Sequence, residues 1–232
     1  MTEKEDYELL GKKVIDYVRT MYCPDQYVGK IRDKDNWHKF YKRTDIFQDQ
    51  TAKMRTNIPN GNILLLILES PHQDEFDKNN EAIGPANGTT GRHIRKYICD
   101  IFGNGYKGYH LVLMNAIPFQ CSLGVGTKHF RDDVFKKIWH ENGENFFVNR
   151  LTILTELFKS KPDNFVIANC CTKGYSEESP LYQYVSEAID TTGLKYIQLD
   201  HPAVTWNTEK ARERLREKVN NANLYIGKTP EK

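Results

Sequence analysis

Ile63-Leu64-Leu65-Leu66-Ile67-Leu68 is an unbroken apolar run, set off by Pro59-Asn60-Gly61 in front and Glu69 behind. A strand covered on both faces has this pattern, because neither of its alternating faces meets water. Tyr109 to Asn115, closed by Pro118, predicts a second strand, Phe165-Val166-Ile167-Ala168 a third and Lys195-Tyr196-Ile197-Gln198-Leu199 a fourth. A polar loop from Pro71 to Gly91 leads into a helix predicted over 91–102 and stopped by Gly103-Asn104-Gly105. Further helices are expected over 145–159 and 179–191, with a charged one over 207–222. Strands alternating with helices predict an α/β fold of three layers, a central four-stranded parallel sheet joined by right-handed crossovers and flanked by helices.

The first 60 residues have a different texture. Leu9, Leu10, Val14, Ile15, Val18 and Met21 recur at roughly helical spacing over 4–21, and Cys23-Pro24 ends that helix. From Pro24 to Asn60 the aromatics Tyr27, Trp37, Phe40, Tyr41 and Phe47 are interleaved with Lys30, Arg32, Lys34, Lys39, Lys42 and Arg43. Such a stretch suits either stacking on nucleic acid or packing as a lid. Packing is the expectation, with 1–60 an N-terminal helical and aromatic extension of a single domain spanning 1–232.

At 232 residues the chain is long enough for one domain with a sizeable core. A net charge of +2 and a pI near 8.2 permit a polyanionic partner without demanding one. Cys23, Cys99, Cys121, Cys170 and Cys171 are odd in number and lack a framework spacing, and no apolar leader precedes them. Reduced thiols and a cytoplasmic monomer are therefore expected. The longest apolar run, Ile63 to Leu68, falls far short of the roughly 20 residues needed to cross a bilayer, so no membrane partner is expected.

The chemistry gathers at strand ends. Glu69-Ser70-Pro71-His72, Asn115 and His201-Pro202-Ala203 each follow a predicted strand, so a parallel sheet would deliver all three to one edge. Open α/β sheets bind ligands at that edge. Cutting a base from deoxyribose puts positive charge on the sugar and negative charge on the departing ring, and calls for an anion or polarised water below and donors around the base. Glu69, Asp74 and Glu75 offer the first, His201 and Asn115 the second. A side-chain amide both donates and accepts, which suits Asn115 to reading a pyrimidine edge. Plainer roles exist: Glu69 capping a helix or pairing an arginine, His201 lying at the surface, and Asn115 serving a structural network, since burial without partners is costly. Gly84-Pro85-Ala86-Asn87-Gly88-Thr89-Thr90-Gly91 is a glycine-rich loop that opens a helix and lets backbone amides approach a phosphate or sugar.

These segments, in this order, resemble the uracil-DNA glycosylase superfamily. Leu68-Glu69-Ser70-Pro71 is similar to its first motif, with a glutamate as in the Gly-Glu-Ala-Pro-Gly branch. Gly88-Thr89-Thr90-Gly91, followed by Arg92, is similar to its Gly-x-x-Gly helix start, Asn115 to its strand-ending asparagine, and His201-Pro202-Ala203 to its last motif. The resemblance covers about residues 60–215. It implies a four-stranded parallel sheet and a base flipped into a pocket, without a cofactor. Asn115 would read the base among Ser70, His72, Ala86 and Asn87, and His201 would stabilise the developing oxyanion. Gly88, Thr89, Thr90 and Arg92 would meet the DNA backbone, and Val204, Thr205 and Trp206 would belong to the loop that wedges the duplex.

The chain departs from that family in three places. Ser70 stands where several branches keep the water-activating Asp or Asn, which moves the acid/base role to Glu69, or to Asp74 or Glu75. Pro85-Ala86-Asn87 replaces the aromatic that stacks on uracil. His72 replaces the tyrosine that excludes 5-substituted pyrimidines. The last two changes suggest a roomier pocket for a bulky modified pyrimidine, such as the glucosylated hydroxymethylcytosine of some phage genomes, and so a role in phage defence; excision of plain uracil in repair is the alternative. An iron–sulfur cluster is not expected, because no Cys-x-x-Cys pair occurs. Rival readings are a metal-dependent nuclease on Glu69, His72, Asp74, Glu75 and Asp77, a non-catalytic DNA-binding module, and a Ser70–His201 hydrolase, which lacks the Gly-x-Ser-x-Gly elbow.

Overall fold

The computed structural model describes residues 20–32, 44–47, 60–122, 126–156 and 165–225. Ile63–Leu68 forms a strand with every residue buried, and its side chains divide between two cores. Ile63, Leu65 and Ile67 join one hydrophobic cluster, Leu64, Leu66 and Leu68 the other. Period-two alternation thus explains why the whole run is apolar, and each such side chain contributes about 1.5–3 kcal/mol on burial.

In chain order the strands are β1 (Gln26–Lys30), β2 (Thr44–Asp45), β3 (Ile63–Leu68), β4 (His110–Asn115), β5 (Phe165–Asn169) and β6 (Tyr196–Gln198). The helices are α1 (Thr89–Phe102), α2 (Val134–Ile138), α3 (Glu144–Glu156), α4 (Leu181–Thr191), α5 (Pro202–Thr205) and α6 (Glu209–Tyr225). The sheet order is β2-β1-β4-β3-β5-β6. Phe135, Trp139, Phe147, Leu151, Val185 and Ile189 pack on one face. Ile94, Ile98 and Ile101 of α1, with Leu215 and Val219 of α6, cover the other. The three-layer α/β expectation is met.

The sheet is mixed, which corrects the expectation of a purely parallel one. β4, β3, β5 and β6 pair in parallel, but β1 pairs antiparallel with both β4 and β2. The added strands come from the segment expected to pack as an extension, and Phe47 beside them is fully buried. The helix expected over 4–21 and the aromatics Trp37, Phe40 and Tyr41 lie outside the described residues, apart from Thr20 and Met21. Wide π-type turns, Lys128–Asp133 and Trp139–Gly143, flank α2 and lead into α3.

The chain moves from β3 to β4 on one side, then returns past β3 to β5 on the other. That reversal opens a crevice at the C-terminal ends of β3 and β5. Glu69 is the first residue beyond β3.

Candidate active site

The buried carboxylate of Glu69 accepts a hydrogen bond from Thr172 N at 2.9 Å. Thr172 sits just past β5, where Cys170 N donates to Ile67 O at 2.8 Å and locks the two strand exits together. His201 Nε2 lies 3.8 Å from Glu69 Oε2, and Arg131 Nη1 lies 3.9 Å from Oε1. Both separations exceed a hydrogen bond. Two nitrogen groups therefore flank the carboxylate without being committed to it.

His201 is presented by a proline-defined turn. Pro202 holds His201 extended (φ −62°, ψ 132°) and opens α5, the position where a missing N–H costs least. Trp206 Nε1 donates to Asp200 O at 3.0 Å, and His93 Nδ1 lies 2.9 Å from Pro202 O. That carbonyl only accepts, so His93 must carry its proton on Nδ1. Burial lowers the pKa of His201; Glu69 opposes that shift and Arg131 adds to it.

A cavity of about 300 Å³ gathers these groups. Leu68, Glu69 and Ser70 line it beside His72, Asp74 and Glu75 of the following turn and Gly88, Thr89 and Thr90 at the start of α1. Ser122, Thr127, Arg131 and Thr172 line it too, with His201, Ala203 and Val204. The Ser70 hydroxyl is buried beside the Cys121 thiol. Asp74 stays half exposed; its N–H donates to His72 Nδ1 at 3.2 Å, and its carbonyl accepts from Asn87 Nδ2 at 2.8 Å. The glycines at the start of α1 have steric reasons. A Cβ on Gly91 would fall 1.7 Å from Ala86 O, and one on Gly88 would fall 2.8 Å from Asp74 Oδ2.

Of the residues expected at the site, Glu69, Ser70, His72, Asp74, Glu75, Gly88, Thr89, Thr90, Val204 and His201 share this cavity. Others do not line it. Ala86 is wholly buried in the core, in the left-handed region at φ 56°, where it supports the turn into α1. Asn87 braces Asp74, and Arg92 Nη2 donates to Thr89 Oγ1 at 2.7 Å. Thr205 Oγ1 is buried, and Trp206 is a fully buried core side chain rather than a wedge, because its indole is spent anchoring Asp200. Asn115 is 1% exposed and pairs in register with Leu68, one strand away from the lining. Both atoms of its side-chain amide are buried without partners.

The sequence reading missed Arg131, Thr127 and Thr172. Arg131 Nε donates to Asp132 Oδ1 at 2.6 Å, and the other oxygen of this buried carboxylate accepts from Tyr175 N at 2.7 Å. Asp132 thereby fixes Arg131 and displays the Tyr175 ring, which is 64% exposed. Thr127 Oγ1 donates to the Tyr175 hydroxyl at 3.1 Å. Phe130, Tyr175 and Val204, three of the four large exposed hydrophobic side chains among the described residues, belong to segments that wall the cavity.

A second cavity of about 340 Å³ lies at the opposite edge of the sheet, between the starts of β5 and β6, with Asp190 and Lys195 as its charged groups. It has no such convergence of carboxylate, imidazole and guanidinium. Among the described residues no group of three or more His, Cys, Asp or Glu is placed to hold a metal ion, so the nuclease reading finds no preassembled ligand set. Cys121, Cys170 and Cys171 are buried thiols; burial raises the pKa of all three, that of Cys121 up to about 12. No helix among the described residues is long and apolar enough to cross a membrane. No protein-family model, curated protein or solved structure matches the chain.

Proposed function

We propose that the protein is a DNA glycosylase that hydrolyses the N-glycosidic bond of a base turned out of the DNA, with a modified pyrimidine as its substrate. The observation that carries this reading is Glu69 and His201, 3.8 Å apart, lining one cavity of about 300 Å³. That volume is at the small end for a ligand pocket and suits a single nucleoside. It is not the roomier pocket expected from the sequence, and a bulky base substituent would have to extend through the cavity mouth. Glu69 takes a proton from water as its oxygen bonds to C1′, and the C1′–N bond breaks with its electron pair passing to the base. His201, kept neutral by burial, donates a hydrogen bond to the ring atom that gathers negative charge. Arg131 adds positive potential beside the same carboxylate.

Asp74, half exposed at the cavity, suits a role at the mouth, and Glu75 lines the cavity without His201 or Arg131 beside it, so Glu69 is the acid/base group of this reading. The exposed rings of Phe130 and Tyr175 and the Val204 side chain offer stacking surface for bases next to the extruded one. Asn115 retains an unsatisfied amide that a base could complete. On this reading the parallel run β4-β3-β5-β6 is the glycosylase-like core, and β1 with β2 is an addition to it. In a cell the enzyme would act in the cytoplasm as a monomer on incoming phage DNA.

The test is incubation with duplexes carrying uracil, hydroxymethylcytosine or its glucosylated form, followed by alkali. Alkali-dependent breaks at the modified base, resistant to a chelator and lost in Glu69→Gln, are expected. Cleavage of uracil alone would remove the modified-base assignment. Direct breaks abolished by the chelator would overturn base excision.

A further inference from the structure

Asp25, the residue before β1, and Arg150 on α3 are completely buried, yet the reaction above uses neither. Arg150 Nη1 donates to Asp25 Oδ1 at 2.8 Å and Oδ2 at 2.6 Å. Its Nη2 donates to the carbonyls of Asn115 at 2.8 Å and Ala116 at 2.7 Å. Asn115 N donates back to Asp25 Oδ1 at 3.3 Å. The guanidinium lies over the Phe146 ring, 4.8 Å from its centre.

A buried ion pair is a poor source of stability, since apolar side chains of similar volume do as well or better. What this pair provides, and apolar side chains cannot, is a grip on the backbone. It fixes the N–H and C=O of Asn115 and the next carbonyl, at the point where β4 stops. The side chain of the residue so held has both amide atoms buried and unpaired. Ala116 N and Ile117 N meanwhile donate to Leu68 O and Glu69 O at 2.7 and 3.0 Å, joining the gripped segment to the cavity lining.

We propose that Asp25 and Arg150 are positioning residues for Asn115, holding its free amide preorganised for the ligand that the neighbouring cavity admits. The inference rests on the reading of that cavity as a base site. It makes Asp25, just before β1, part of the site's machinery, although that residue does not line the cavity.

Arg150→Lys in the full chain tests it, because one ammonium cannot serve a carboxylate and two carbonyls in the same fixed geometry. Asp25→Asn is the second variant, should the first fail to fold. Base release should fall in kcat/KM on the order of tenfold or more, and the loss should vanish when Asn115 is already alanine. An equal loss in the Asn115→Ala background would overturn the proposal. An independent readout is the Asn115 side-chain amide resonance pair, assigned by its absence in Asn115→Ala. It should be single in the native protein and broadened or multiple in both variants; an unchanged pair in both would overturn the proposal. Failure of the native protein to release any tested base would remove the base-site reading, and the amide resonance would then decide the positioning claim alone.

Discussion

Asp25 and Glu69 are both buried carboxylates facing an arginine, and the fold treats them in opposite ways. Asp25 meets Arg150 at 2.6 and 2.8 Å with its neighbours' backbone groups tied in. Burial pushes its carboxyl above the usual range while Arg150 pulls it back. Glu69 meets Arg131 at 3.9 Å and His201 at 3.8 Å, and its short bond goes to a backbone N–H. The first arrangement is closed, with its charge committed to the chain. The second keeps capacity in reserve beside an open volume, as expected of a group that meets a ligand.

Breaking the closed pair should have the largest effect on stability. Arg150→Met strands an uncompensated carboxylate and should cost about 3–5 kcal/mol in urea unfolding; a cost below about 1 kcal/mol would erase the contrast. Glu69→Gln should do the reverse, leaving the unfolding midpoint nearly unchanged while base release falls about 10²–10⁴-fold. Retained activity with a large loss of stability would move Glu69 into the same class as Asp25. Tyr175→Ala should weaken oligonucleotide binding in fluorescence anisotropy by about 1–3 kcal/mol, with Tyr175→Phe close to native. No difference between these variants would make the exposed ring incidental.

The smallest effect is a pH slope. His201 has a folded pKa below its unfolded value of about 6.5, so the unfolded chain binds more protons between the two values. Its contribution to stability is complete above about 6.5 and is lost as pH falls toward the folded pKa. Thermal melts from pH 7.5 to 5 should show a shallower decline for His201→Asn than for the native protein.

The legible parts of the sequence were those whose physics is local. β3 was readable because a strand buried on both faces must be apolar throughout, and α1 because Gly103, at φ 68°, stops it where the glycines suggest. β1 was not readable. Gln26-Tyr27-Val28-Gly29-Lys30 mixes polar and apolar residues and carries a register shift between Tyr27 and Gly29, so its pairing with β4 comes from tertiary contact. Glu69 and His201 stood out because each follows an apolar strand. Arg131 did not, since its approach to Glu69 depends on a π-type turn distorted at Phe130 that carries no motif. Trp206 misled for the opposite reason: its place in the loop pattern suggested exposure, while the Asp200 carbonyl draws the indole inward.

The outer strands carry one more consequence. β2 and β6 are short, at two and three residues, which leaves little free backbone on either margin of the sheet. β1 lies against the fully buried β4. A fragment starting at Gly61 would uncover the unpaired backbone edge of the apolar six-residue strand β4, and the first thing it would meet is another copy of itself. Attempts to trim the protein to its parallel half should therefore yield insoluble, self-templating material rather than a smaller folded protein.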